Sequence, residues 1–226
     1  MIQLIFDHIT GFGKITEQDF IYSDPKGIAI GTDYNNYLNE GWVEWKGYWY
    51  NLRSTRIKIS DYKPTKTVKR LANKVQISKV ILTQEEVDRL QPVYEKYITT
   101  KGYKRDIKLE DFLDYFAILY WHNEKLIGAS IFKEYKTDQK DIVDYQFLWD
   151  YEDPKLSLGS VSLYYEIELT KNSATYVYLM GGYEEACIYK SNFKGFEWWT
   201  GTEWSSDLDL YTQLCKRDNN VHIRTS

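Results

Sequence analysis

The chain has 226 residues, enough for one large domain or a main domain with a small one, and its 43 % apolar share supports a buried core. A net charge of −4 argues against nucleic acid as a partner of the surface as a whole. Cys187 and Cys215 are its two cysteines, with no Cys-x-x-Cys pair and no nearby His, so neither a disulfide framework nor a metal site is expected.

The opening MIQLIFDHITGF has no basic flank and is interrupted at Asp7, unlike a secretory signal. No apolar run approaches the roughly 18 residues needed to span a bilayer. A soluble, cytoplasmic protein with no membrane partner is expected.

Residues 1–60 read as short strands and turns: QLIF, GIAIGTDY, then the aromatic stretch Trp42, Trp45, Tyr48, Trp49 and Tyr50 around Lys46-Gly47. Pro64 and Thr65 are placed to start a helix carrying Lys66, Lys69 and Arg70. Residues 1–75 are therefore expected to form a small β-rich module ending in a basic helix. From Arg53 to Lys79 nine basic residues face Asp61 alone, a net of +8 that leaves −12 for the rest. Such segregation makes a local electrostatic footprint that the average conceals.

Residues 76–226 read as a second, α+β domain. Thr83-Gln84-Glu85-Glu86 is a capping-box pattern, and Val87, Leu90, Tyr94 and Tyr97 follow at helical spacing, with Pro92 predicting a kink or two pieces. Leu109, Phe112, Leu113 and Phe116 predict a second helix. AILYWHN and LIGASIFKEY predict two strands around a turn at Asn123-Glu124-Lys125, and DIVDYQFLW a third. A helix from Val161 to Thr170, the strand TYVYLM, a short helix from Glu184 to Ser191 and a strand pair around Thr200-Gly201 complete the reading. This order resembles the GCN5-related N-acyltransferase fold. There the acyl donor sits where a central strand splays, with its polar groups at the next helix N-terminus. The corresponding junction here runs from Trp149-Asp150-Tyr151 to Ser157-Leu158-Gly159-Ser160.

Three stretches are similar to the arginyl-tRNA-protein transferases and their relatives, the leucyl/phenylalanyl-tRNA-protein transferases. The first is Tyr62-Lys63-Pro64-Thr65-Lys66-Thr67 leading to Lys69-Arg70. The second is Ser157-Leu158-Gly159 with the helix ending Glu166-Ile167-Glu168-Leu169. The third is Met180-Gly181, Tyr183, Cys187 and Phe193-Lys194-Gly195. Asn39-Glu40-Gly41-Trp42 and Ser54-Thr55-Arg56-Ile57 are weaker echoes. The family's N-terminal cysteines are absent, and Tyr48, Tyr50, Leu52 and Ser54 stand in that neighbourhood.

The resemblance implies transfer of an amino acid, arginine or another, from tRNA to the α-amino group of a polypeptide N-terminus. Aminoacyl-tRNA is the co-substrate and no further cofactor is expected. Asp150, then Glu166, are the candidate proton acceptors, and backbone N–H groups at Gly159 and Ser160 would meet the oxyanion. Gly181 and Gly182 would let the donor end approach, with Tyr183 stacking on it and Cys187 in the pocket wall. Arg56, Lys63, Lys66, Lys69, Arg70, Lys190 and Lys194 would meet phosphates of the tRNA acceptor arm. Two other readings share the fold: an acyl-CoA-dependent N-acyltransferase, against which only Gly159 supplies a glycine between Trp149 and Val161, and a non-catalytic RNA- or protein-binding module.

Overall fold

In chain order the elements are α1 (Tyr34–Asn39), β1 (Trp42–Trp45), β2 (Tyr48–Asn51), β3 (Ser54–Lys58), α2 (Lys66–Ala72), β4 (Gln76–Ile81), α3 (Gln84–Lys101), β5 (Phe116–His122), β6 (Lys125–Glu134), β7 (Ile142–Trp149), α4 (Leu158–Thr170), β8 (Tyr176–Gly181), β9 (Phe196–Trp199), β10 (Trp204–Ser205) and α5 (Leu208–His222). Short 3-10 turns lie at Ile59–Asp61, Leu109–Phe112, Pro154–Leu156 and Glu185–Asn192. This computed structural model describes residues 34–45, 48–51, 53–102, 108–135, 141–182 and 185–222. The strands expected at QLIF and GIAIGTDY lie outside the described residues.

The class is α+β. The chain builds two units, one from residues up to Lys63, Tyr135–Asp141 and from Thr175 onward, the other from Pro64–Glu134 and Ile142–Ala174. The basic helix α2 falls in the second unit.

In the first unit β1 and β2 pair antiparallel, with Val43 opposite Tyr50, as the alternating aromatic stretch predicts. Four further strands run in the order β10-β9-β3-β8, paired antiparallel throughout. Ile57, Val177, Tyr178, Phe196, Trp198, Tyr211 and Cys215 are buried around them. Helix α5, which periodicity did not indicate, packs on the Glu185–Asn192 turn.

In the second unit the order is β7-β6-β5-β4, all antiparallel. Asn123 and Glu124 take φ of +50° and +64°, the mirror-image turn whose twist matches a two-residue hairpin. Residues Leu126 to Phe132 of β6 are continuously buried, because α3 and α4 both pack on β6 and β7. β4 has a largely half-exposed, mixed sequence with little apolar alternation, and it too was not predicted.

Three expectations are corrected here. Leu109–Phe112 is a single 3-10 turn and Phe116 begins β5, because Asp114 takes φ +70° and its N–H donates to Leu82 O (3.0 Å). Thr83 starts α3 without capping its backbone; its hydroxyl donates to the Glu86 carboxylate instead. Pro92, exposed, lies within one continuous helix.

Candidate active site

Strand β7 ends in a sharp turn. Tyr151 takes φ +56°, and its ring packs on Trp149 (centroids 4.5 Å apart) and on Tyr97 of α3 (6.3 Å). Asp150, between the two aromatic residues, is fixed through its backbone: its N–H donates to Ile127 O (3.0 Å), and its Oδ1 accepts the Glu152 N–H (3.2 Å). Its side chain is only 2 % exposed, and Oδ2 lies 3.0 Å from Lys125 Nζ. That contact is an ion pair without hydrogen-bond alignment.

Lys125 also pairs with Glu152, which Lys96 of α3 grips as well. Hydrogen bonds from Lys125 and Lys96 hold the Glu152 carboxyl down to about 2. Hydrogen bonding to Glu152, with Asp150 beside it, holds the Lys125 ammonium above its ordinary value. Lys125, Asp150 and Glu152, with His122, Asn123, Ile127, Trp149, Asp153 and Leu156, line a cleft of about 240 Å³. The buried Trp149 Nε1–H meets no acceptor among the described residues.

Helix α4 starts after Ser157, which takes φ +48° and offers no side-chain cap. Ser160 N–H donates to Ser157 O (2.8 Å), so its amide is used inside the helix. Leu158 and Gly159 therefore supply the first amides, which have no intrahelical acceptor. Gly128 of β6 makes room for this start, since a Cβ there would lie 2.7 Å from Leu158 Cδ2.

Glu166 sits elsewhere. It is 1 % exposed within α4, accepts from Ser130 Oγ (2.6 Å), and Ser130 in turn contacts the Tyr120 hydroxyl (3.0 Å). It does not line the cleft.

In the Met180–Gly195 stretch the described residues pack within the first unit. Gly181 ends β8, and Gly182 N–H donates to Arg53 O (3.0 Å). A Cβ on Gly182 would lie 2.2 Å from Tyr211 Oη, so Tyr211 makes a close approach to the backbone there. Cys187 is half-buried, and its carbonyl accepts from the Tyr211 hydroxyl (3.4 Å). Tyr183 lies outside the described residues.

The basic residues separate into two groups. Lys63, Lys66, Lys69, Arg70 and Lys194 are exposed. Thr65 Oγ1 accepts the Val68 N–H (3.2 Å) to start α2, whose Leu71 and Ala72 are buried as the helix packs on α4. The Tyr165 hydroxyl lies 2.8 Å from Ala72 O and 2.9 Å from Val75 O, tying down the C-terminal end. Lys190 Nζ instead donates to Leu179 O (2.6 Å). Arg56 is corrected from a phosphate ligand to a core residue. It is 6 % exposed, pairs with Glu197 (2.7 Å), and lies 3.8 Å and 3.9 Å from the ring centroids of Tyr176 and Trp204.

Sequence reasoning gave no role to Lys125 or Lys96, the two lysines that pair with Glu152 beside Asp150. The one legible signal is the two-residue turn, which sets Lys125 opposite His122 at the hairpin end.

Among solved structures the chain is similar to the C-terminal domain of a protein described as a lysylphosphatidylglycerol synthetase of Agrobacterium fabrum, at 10 % identity and a TM-score of 0.47 over 56 % of this chain and 45 % of that one. It is similar to L-PGS from Bacillus licheniformis at 13 % identity and a TM-score of 0.46, over 65 % of this chain and 49 % of the other. A GCN5-related glucosamine N-acetyltransferase region of a fungal multi-domain GH3 β-N-acetylglucosaminidase shows 14 % identity and a TM-score of 0.41, over 80 % and 21 %. The chain thus spans about half the length or less of these structures. No curated protein matches it. Among the described residues no helix is long and apolar enough to cross a membrane. The family described as the arginine-tRNA-protein transferase C-terminus matches residues 70–200, more than half of the chain and all of the cleft at the end of β7, and the chain belongs to that family.

Proposed function

We propose that this protein is an aminoacyltransferase that moves an amino acid, arginine or another, from the 3′ end of its tRNA to the α-amino group of a polypeptide, with the chemistry in the cleft at the end of β7. The observation that carries the reading is Asp150, a fixed and nearly buried carboxylate in the wall of a cleft within the family-matched region. An α-ammonium, with an ordinary pKa of about 7.7 to 8, gives its proton to this carboxylate. The free amine attacks the ester carbonyl carbon. The resulting oxyanion is stabilised by the open amides at the start of α4, those of Leu158 and Gly159. As the intermediate collapses, the bond from the carbonyl carbon to the ribose oxygen breaks, that oxygen takes up the proton held by Asp150, and the attacking nitrogen gives its second proton to water, leaving a neutral amide. Ester aminolysis is downhill, so positioning supplies most of the catalysis. The exposed Lys63, Lys66, Lys69 and Arg70 bind phosphates of the acceptor arm.

The test is incubation with a mixture of radiolabelled aminoacyl-tRNAs and peptides that differ in their first residue. Label should pass to peptides with a free α-amine and not to N-acetylated ones. Acetyl transfer from acetyl-CoA without tRNA affinity would replace this reading with the acyl-CoA one. Binding of tRNA without transfer would make the protein a binding module.

A further inference from the structure

We infer that Lys125 is a resident stand-in for a substrate ammonium, held on Asp150 and Glu152 until a cationic ligand displaces it. Three observations carry this. The Lys125 ammonium spans both carboxylates, occupying the place on Asp150 Oδ2 that any ligand ammonium would need. The pair is asymmetric: the Asp150 side chain is 2 % exposed and locked by the Glu152 N–H, whereas that of Lys125 is 47 % exposed. The carboxylate is therefore the fixed half and the lysine the half that can swing into water. Finally, Trp149, whose buried indole N–H has no acceptor among the described residues, lines the same cleft, so the wall beside Asp150 holds an unmatched donor.

Charge decides which ligands can enter. Removing Lys125 from Asp150 leaves a buried carboxylate uncompensated, so a neutral ligand meets the full penalty while an ammonium restores the pair. A ligand that must displace a tethered competitor binds more weakly by the fraction of time the site is open. With the reaction proposed above, on which the identity of the occupant rests, the ligand is the acceptor's α-ammonium. Lys125 then excludes acetylated or otherwise uncharged N-termini.

The probe is glycinamide, an α-ammonium next to a carbonyl, titrated at constant ionic strength and followed by NMR shifts and thermal stabilisation, with N-acetylglycinamide as the uncharged control. Lys125→Met should bind glycinamide about tenfold more tightly than the parent protein, taking the site to be open roughly a tenth of the time. Lys125→Arg, whose guanidinium keeps both carboxylates paired, should bind it more weakly than the parent. Lys171→Met removes the same charge from the exposed pair with Glu168 and should change nothing. Glycinamide binding no tighter in the Met variant, or equal binding of the acetylated control, overturns the inference. If the Met variant does not fold, the Arg variant decides, and equal or tighter binding there overturns it. Absence of transfer from every aminoacyl-tRNA would remove the proposed reaction, and the glycinamide comparison would still decide the stand-in.

Discussion

Tyr211 lies so close to Gly182 that a Cβ on the glycine would fall 2.2 Å from the phenolic oxygen and 2.9 Å from two ring carbons. Tyr211 is fully buried, and burial pushes its hydroxyl far above the ordinary tyrosine range. Gly182→Ala should therefore destabilise the protein by about 1–3 kcal/mol through overpacking. Adding Tyr211→Phe removes the nearest atom, so the double variant should recover part of the loss. Thermal or denaturant unfolding of the four proteins in a double-mutant cycle measures the coupling, and strict additivity would contradict the contact.

Asp150→Asn keeps the shape of the side chain and removes its capacity to take a proton. Transfer to the α-amine should fall about 100- to 10,000-fold in single-turnover assays with aminoacyl-tRNA. Binding of tRNA should be unchanged, since the lysines proposed to meet its phosphates are carried elsewhere in the chain.

Replacing Lys66, Lys69 and Arg70 together by Ala touches only the exposed face of α2, and Leu71 and Ala72 keep their burial. The melting temperature should hold. Each cation withdrawn from a phosphate should flatten the plot of log affinity against log salt by about 0.7 to 0.9, so the triple variant should have a slope shallower by about 2 to 3 units. An unchanged slope measured by filter binding would remove the acceptor-arm role.

Arg56 gives the opposite expectation. Arg56→Ala strips the partner from Glu197 and empties the slot between Tyr176 and Trp204, which should cost about 2–4 kcal/mol, below the fully buried case because Glu197 keeps a quarter of its side chain in water. The salt dependence of tRNA binding by the folded fraction should not change.

Asp141 supplies a pH signature. Desolvation raises its carboxyl above the ordinary 3.8, partly opposed by the Tyr176 and Thr175 N–H groups that it accepts at 3.0 and 3.2 Å. A raised acid binds its proton more tightly folded than unfolded. Stability linked to it is therefore complete below 3.8 and is lost as pH rises through the folded value. Asp141→Asn keeps an acceptor for both amides and removes the titration, so its stability curve should be flatter than the parent's just above pH 4.

These residues also show which parts of the protein local sequence can reveal. Thr65 capping α2, Asn123-Glu124 closing a hairpin and the burial of β6 are local or periodic signals, and each is written in a few adjacent residues. Leu109 to Phe116 misled for the same reason: helical spacing persisted across a turn that Asp114 breaks with a backbone angle composition does not announce. β4, with exposed and half-exposed residues only, carried too weak a pattern. Site residues depend on long-range pairing. Lys125 meets Asp150 across 25 positions, Arg56 meets Glu197 across 141, and Gly182 answers to a tyrosine in α5. The Tyr211 ring beside Gly182 comes from 29 positions further along the chain and leaves no mark in the glycine pair itself.

The two-residue turn between β5 and β6 constrains how relatives of this protein can diverge. Its residues are polar and exposed, the usual mark of a place where lineages gain and lose residues freely. Yet Lys125 is the first residue after it, paired with His122, and successive strand residues face opposite ways. An insertion that slipped this pairing by one position would turn the lysine to the other face of the sheet and leave Asp150 alone. Drift at this corner should alter the identities of its residues, among those that tolerate a left-handed backbone, while their number stays at two.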